Sequence, residues 1–297
     1  MAQHPPVRSS GNALSDTQFI DRRLRERRRQ HDRHQGDGGG VFHCLSGEGV
    51  ALFLARGRGE WQGQLMITDH VLFIDGEAIV IDKPSGLPVD PPRDGALSLE
   101  NHLQSLTFGF QRWPQAVHRL DRDTSGCLLL SRNPKAHKRF QRVFEAGLVT
   151  KHYLAVLDGI PKGDSGMIDI ALDKISSEEA GWRMIGSPKG KPSRTHWRLV
   201  RVVGVQSLVE FRPETGRTHQ IRVHAAEGLG APVAGDPVYG EKGPHGMLLH
   251  AAGLVVPREG KPDVIAEAPL PGRFVAAGFG AQIDPDTGAD PENITAG

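Results

Sequence analysis

Asp121 stands in the densest group of polar and charged side chains in the chain, the run HRLDRDTSG at 118–126, which leads directly into apolar residues 127–130. A polar loop entering a buried strand can hold a reactive side chain at a cleft while the sheet fixes its position. A carboxylate so placed serves as a nucleophile or as a general base. The same residues also fit a hydrogen-bonded turn, with Asp123, Thr124 and Ser125 making local contacts and Gly126 taking an unusual backbone angle. Taken alone, this segment leaves both readings open.

A second cluster, RPETGRTHQIRVH at 212–224, packs three arginines and two histidines around a turn and an expected helix start. On a helix from His219, Arg222 lies one turn on, so both can face the same side. The other reading is a solvated basic face, with His224 satisfied in the core. A third segment, KHYLA at 151–155, reads as a strand whose alternation puts Lys151, Tyr153 and Ala155 on one face. A tyrosine in a strand is also compatible with plain packing.

Other chemistries lack their patterns. Cys44 and Cys127 form no CxxC pair, and the fourteen histidines include no HExxH pair. GSPKGKP at 186–192 lacks phosphate-loop spacing, and Pro192 stands where Ser or Thr should follow the lysine, so a charged turn is expected. Asp284, Asp286 and Asp290 lack the late glutamate of a calcium loop.

The elements that must position these residues follow from periodicity. Apolar runs 71–74 and 78–81 flank Asp75-Gly76 and predict a hairpin. Residues 127–131 predict a buried strand. Asn133 and Pro134 supply an N-cap and a first helical residue. In that helix Ala136, Phe140, Val143 and Phe144 share the apolar face, and Gly147 can end it. Further strands are expected at 150–157, 195–203, 207–212 and 247–255, with a short helix at 219–226. Many strands with few helices indicate an α+β domain on a mixed or mostly antiparallel sheet.

Composition is that of an ordinary globular protein, 38% hydrophobic and 24% charged. The net charge of +1 averages an uneven distribution: residues 22–33 hold seven arginines and two acids, and residues 281–297 hold four acids and no Lys or Arg. Basic segments attract a polyanion through phosphate neutralisation, or form a solvated face. The N-terminal twelve residues have no apolar core of a secretory signal, and no apolar run reaches membrane-spanning length. We expect a cytoplasmic protein with a largely disordered arginine- and glycine-rich arm at 1–65, a catalytic domain at 66–275, and an acidic flexible tail at 276–297.

Together the three polar segments resemble the RluA family of pseudouridine synthases. HRLDRDTSG is similar to that family's catalytic motif, KHYLA to its tyrosine segment, and TGRTHQIRVH at 215–224 to its arginine motif. DKPSGL at 82–87, GDPVYG at 235–240 and LLHA at 248–251 are further similar pieces in the family's order, spanning roughly Leu72 to Phe274. The resemblance implies the pseudouridine synthase catalytic fold, with flanking helices and a central active-site cleft. It also implies isomerisation of specific uridines in transfer RNA, ribosomal RNA or both. Asp121 would be the catalytic nucleophile or base, Tyr153 would stack on the base, and Arg222 would pair with Asp121. Arg119, Arg122, Thr124, Gly126, Arg217, His219 and Gln220 would contact the RNA, at a uridine in a loop or single strand. No cofactor and no metal is expected, because the reaction exchanges neither electrons nor groups with a second substrate. A monomer is expected. Many relatives carry an N-terminal S4-type RNA-binding domain, to which the first 65 residues show no convincing match.

Overall fold

The computed structural model describes residues 66–177 and 181–280. The expectations for the arm at 1–65, and for the tail beyond residue 280, lie outside the described residues.

The apolar runs around Asp75-Gly76 form the expected hairpin, Val71–Ile74 (β1) and Ala78–Lys83 (β2). Its turn is closed by Asp75 Oδ1, which accepts the amides of Glu77 and Ala78. A 3₁₀ segment at Leu99–Leu106 precedes the short strand Gln115–Ala116 (β3) and the fully buried strand Ser125–Ser131 (β4), so residues 117–124 form the polar loop between them. Pro134–Glu145 (α1) begins at Asn133, whose side chain accepts the amide of Ala136, and Gly147 follows it at φ 69°. Next come Thr150–Leu157 (β5), Ser165–Asp169 (β6), Leu172–Ser177 (β7) and Gly181–Gly186 (β8). Arg194–Val203 (β9) and Gln206–Pro213 (β10) lead to Gln220–Val223 (α2), which passes into a π-helical turn at His224–Gly228. Leu249–Val256 (β11), Val264–Glu267 (β12) and Gly272–Ala276 (α3) complete the order. Strands β3, β6, β7, β8 and β12 escaped the sequence reading because their alternation is short, and in β6 and β7 mostly exposed.

Ten strands pair in one sheet, whose main path runs β1-β2-β4-β11-β5-β10-β9-β6, while β7 and β8 form a separate hairpin. Only β4 and β11 pair in parallel among the described strands. The architecture is the mixed, mostly antiparallel α+β sheet that the strand pattern implies.

Period-two alternation sorts the two faces. Ile79, Ile81, Leu128 and Leu130 point into one cluster, against which Tyr153 packs. Ala78, Val80, Cys127 and Leu129 point the other way, onto Ala136 and Phe140 of α1. Helix α1 therefore covers the face away from Tyr153.

Gly126 sits where β4 meets β11 at φ 109°, and a Cβ there would lie 2.2 Å from the carbonyl oxygen of Ala251. Only glycine permits that approach. Gly126→Ala is expected to destabilise the fold by more than about 3 kcal/mol, from backbone strain plus a clash that no side-chain rotation relieves. Urea titration of the variant checks this, and an unchanged midpoint would contradict it.

Candidate active site

Asp121 lies on the loop that enters β4, and the first layer of its support is the segment after β2. Lys83, fully buried, donates from Nζ to the carbonyl oxygens of Pro84 (2.8 Å), Leu87 (2.8 Å) and Arg122 (3.0 Å). Burial pulls its pKa down to about 7, opposed by Asp123 and Asp121 nearby. Three acceptors match the three donors of the ammonium form, and they decide for the charged state. The amide of Gly86 also donates to Arg122 O, and Ser85 Oγ donates to Asp123 O. The residues DKPSGL thus clamp the backbone on the C-terminal side of Asp121.

His118 holds the other end of the loop. Its ring stacks on Phe144 of α1 with centroids 4.7 Å apart, and its Nε2 accepts the amide of Leu129. That bond needs a neutral ring, and burial together with the Lys151 cation lowers the pKa to about 4. His250, buried between β4 and α3 and bonded through Nδ1 to Ser125 Oγ, is likewise pushed to about 4, by burial and Arg273 against the Ala268 carbonyl. The unfolded chain binds these protons at about pH 6.5, so between pH 6.5 and 4 it takes up more protons than the folded chain. Stability is therefore expected to fall as pH drops through that window, by at most about 3 kcal/mol per ring. Urea titrations at pH 7 and 4.5 measure it, and a His118→Asn, His250→Asn double variant should lose much of the slope.

Asp121 Oδ2 accepts Nη1 of Arg222 at 3.1 Å. The opposite edge of that guanidinium is held by Asp236, with Nε to Oδ2 at 2.7 Å and Nη2 to Oδ1 at 2.8 Å. Asp236 Oδ1 also accepts the amides of Val238 and Tyr239. Although burial opposes charge at both residues, their mutual ion pair lowers the Asp236 pKa and raises that of Arg222. Arg222 is a fixed fork, aimed at Asp121 by a fully buried carboxylate.

His219 caps α2 with a left-handed backbone, φ 53°, so the short helix expected from about that position begins one residue later. Its Nε2 is 4.0 Å from Asp121 Oδ2, and its Nδ1 is 2.9 Å from the hydroxyl of Tyr239. Tyr239 also accepts the amide of Met184; a phenol proton given to Nδ1 would place the ring proton of neutral His219 on Nε2, facing Asp121. Burial lowers the His219 pKa, with Asp121 opposing and Arg222 reinforcing it, which favours the neutral ring. Trp182 of β8 stacks on that ring with centroids 5.1 Å apart.

Asp121, Tyr153 and Arg222 line one cavity of about 100 Å³ with Arg119, Thr124, Lys151, Arg217, His219 and Gln220. The lysine and tyrosine of KHYLA reach it together, as strand alternation requires. Burial, and then the Asp121 charge, raises the Tyr153 pKa, so its ring is a neutral surface. Lys151 is lowered by burial to about 8 and donates to Thr215 O. The exposed Arg119 and Arg217 stand in the lining. A whole nucleotide needs more room than 100 Å³, so such rim side chains must swing aside for one to enter.

Two of the expected contact residues do not line the cavity. Arg122 is exposed, with its guanidinium beside Asp123, and Gly126 is buried in the β4–β11 contact. Gln220 lines the cavity but is buried, accepting from Thr215 and Arg217 and donating to Arg194 and Thr195; it shapes the loop carrying Arg217. The reverse omission is Asp236, Lys83 and Tyr239: the motifs DKPSGL and GDPVYG contained them, but no local pattern gave them a role. Among the described residues no cluster of His, Cys, Asp and Glu is arranged to hold a metal ion.

Residues 77–227 match the family model described as RNA pseudouridylate synthase. An uncharacterised RNA pseudouridine synthase of Zymomonas mobilis is 56% identical over 217 residues, covering 72% of this chain and 99% of that protein. The ribosomal large subunit pseudouridine synthase D of Nitrosomonas europaea is 39% identical over 59% of this chain and 50% of its own length. The solved structure of human RNA pseudouridylate synthase domain containing 4 aligns at TM-score 0.60 and 26% identity, covering 70% of this chain and 91% of that one. Human RNA pseudouridylate synthase domain containing 1 aligns at TM-score 0.58 and 31% identity, covering 67% and 82%.

Proposed function

The chain belongs to the RNA pseudouridylate synthase family and isomerises uridine to pseudouridine in RNA; from that premise we propose that Asp121 is its catalytic carboxylate, as nucleophile or base. The observation that carries this reading is the 3.1 Å ion pair from Arg222 to Asp121 inside a cavity that Tyr153 also lines. The reaction breaks N1–C1′, turns the uracil, and joins C5 to C1′, while C5 loses its hydrogen and N1 gains one. A carboxylate can attack the sugar or take a proton, and Arg222 keeps it charged and oriented. Tyr153 offers a flat neutral face on which the uracil can stack without being committed to one edge. Arg119, Lys151 and Arg217 supply positive charge for the flanking phosphates.

The target base must leave its stack, at a cost of a few kcal/mol that is least in loops and single strands. Ribosomal RNA, transfer RNA or both are the proposed substrates, and the names of the ribosomal large subunit relatives favour the first. Residues 66–275 are the proposed catalytic unit, acting as a monomer in the cytoplasm. Among the described residues no helix is long and apolar enough to cross a membrane.

Because C5 loses its hydrogen, RNA labelled with [5-³H]uridine should release tritium to water when incubated with the protein. Total RNA from cells lacking the gene is the test substrate, and mapping pseudouridine before and after incubation names the site. Absence of release from that RNA would overturn the reading; free uracil among the products would point to hydrolysis instead.

A further inference from the structure

We propose that a second cavity, bordering the apolar cluster against which Tyr153 packs, is a base-binding subsite, where an unpaired nucleotide neighbouring the target uridine stacks on Trp113. The cavity measures about 740 Å³ and lies between the 3₁₀ segment 99–106, strand β3 and the start of α1. That volume falls within the range of pockets that hold small ligands. Its floor contains Leu99 and Leu103, members of the cluster against which Tyr153 packs.

Two observations say what fills it. The first is continuity. Asp90 lines this cavity, and its Oδ2 is 2.9 Å from Nε of Arg119, which lines the catalytic cavity. The pair links one residue of each lining at the surface, so an RNA strand laid from one cavity to the other crosses it. The second is chemistry. Trp113 is 57% exposed, and no aromatic or cation partner covers it among the described residues. Nearby Phe110 is already occupied, with the Arg132 guanidinium 3.6 Å from its ring centre. Arg132 is itself fixed, donating to the carbonyls of Asp75, Thr107 and Phe108, and is not available to reach out. Trp113 is thus an open stacking platform, and the exposed Arg112 beside it is placed to neutralise a phosphate. An aromatic platform with an adjacent cation is the general means of holding single-stranded nucleic acid without reading its sequence.

The inference rests on the RNA-isomerase reading, and the test separates the two. Full-length wild type, Trp113→Ala, Trp113→Leu and Trp113→Phe are compared for binding of fluorescein-labelled pentauridylate by anisotropy, with tritium release from total RNA measured in parallel. Wild type should bind pentauridylate. Ala and Leu should weaken it roughly 5- to 100-fold, the span expected for losing one base–aromatic stack, while Phe stays within about twofold. Leu keeps bulk without a π face, so Leu binding as tightly as Phe would overturn the stacking role. Arg112→Ala should lower the slope of log Kd against log salt by about one phosphate. If wild type releases tritium from RNA but Trp113→Ala binds pentauridylate as wild type does, the subsite is wrong and the catalytic assignment stands. If wild type releases none, the catalytic reading falls and the subsite with it.

Discussion

Asp121→Asn is expected to lower pseudouridine formation by at least about 10³-fold while leaving RNA affinity within roughly threefold of wild type. The substitution is close to isosteric, and its oxygen can still accept from Arg222 Nη1, so the loop keeps its shape. It removes the negative charge that attack on the sugar or proton removal requires. Folding should be little affected, because the other edge of Arg222 stays paired with Asp236. Single-turnover tritium release gives the rate, and filter binding with the same RNA gives the affinity. Turnover at the wild-type rate would remove Asp121 from the mechanism; lost binding with an unchanged chemical step would make it a recognition residue.

Asp236→Asn is expected to be nearly as damaging to catalysis, although the side chain does not line the catalytic cavity. The two Asp236 oxygens accept two donors from one edge of the guanidinium. An asparagine can accept only one and turns its own NH₂ toward the other. It also leaves a buried arginine with Asp121 as its remaining carboxylate partner among the described residues. Removing one partner of a buried ion pair typically costs about 3–5 kcal/mol; retention of Asp121 should bring this to roughly 2–4 kcal/mol, or about 5–15 °C in Tm. The freed fork would no longer be held at one angle to Asp121, and kcat should drop roughly 10²- to 10³-fold. Asp236→Glu restores the charge but not the spacing, so it should recover stability more than rate. A variant with wild-type Tm and kcat would mean that Asp236 does not position Arg222.

These two carboxylates differ in how far the chain alone revealed them. Asp121 is conspicuous in its polar run before an apolar strand, and the strand, its burial and the loop followed from local pattern. Tyr153 and Lys151 share a face for the same reason, since strand alternation is a backbone property. The hairpin around Asp75-Gly76 and the Asn133 cap were legible because turn and cap chemistry acts over three or four residues. Asp236 was not: a short acidic side chain after a glycine has many fates, and only its contact with Arg222 selects one. Lys83 is similar, an ordinary lysine in sequence that three distant or bent-back carbonyls turn into a buried clamp.

The linear chain by itself determined the kind of sheet, the polar and charged segments set against it, and the candidate residues within them. The tertiary structure alone decided which of them meet. Arg222 and Asp121 are 101 residues apart and come together because β4, β11, β5 and β10 lie side by side, with β11 inserted between strands that precede it. That order follows from burying apolar surface on both faces at once, a condition no local window contains. The same condition put Gly126 against Ala251, turned Arg122 to solvent, and placed α1 on the far face of the sheet.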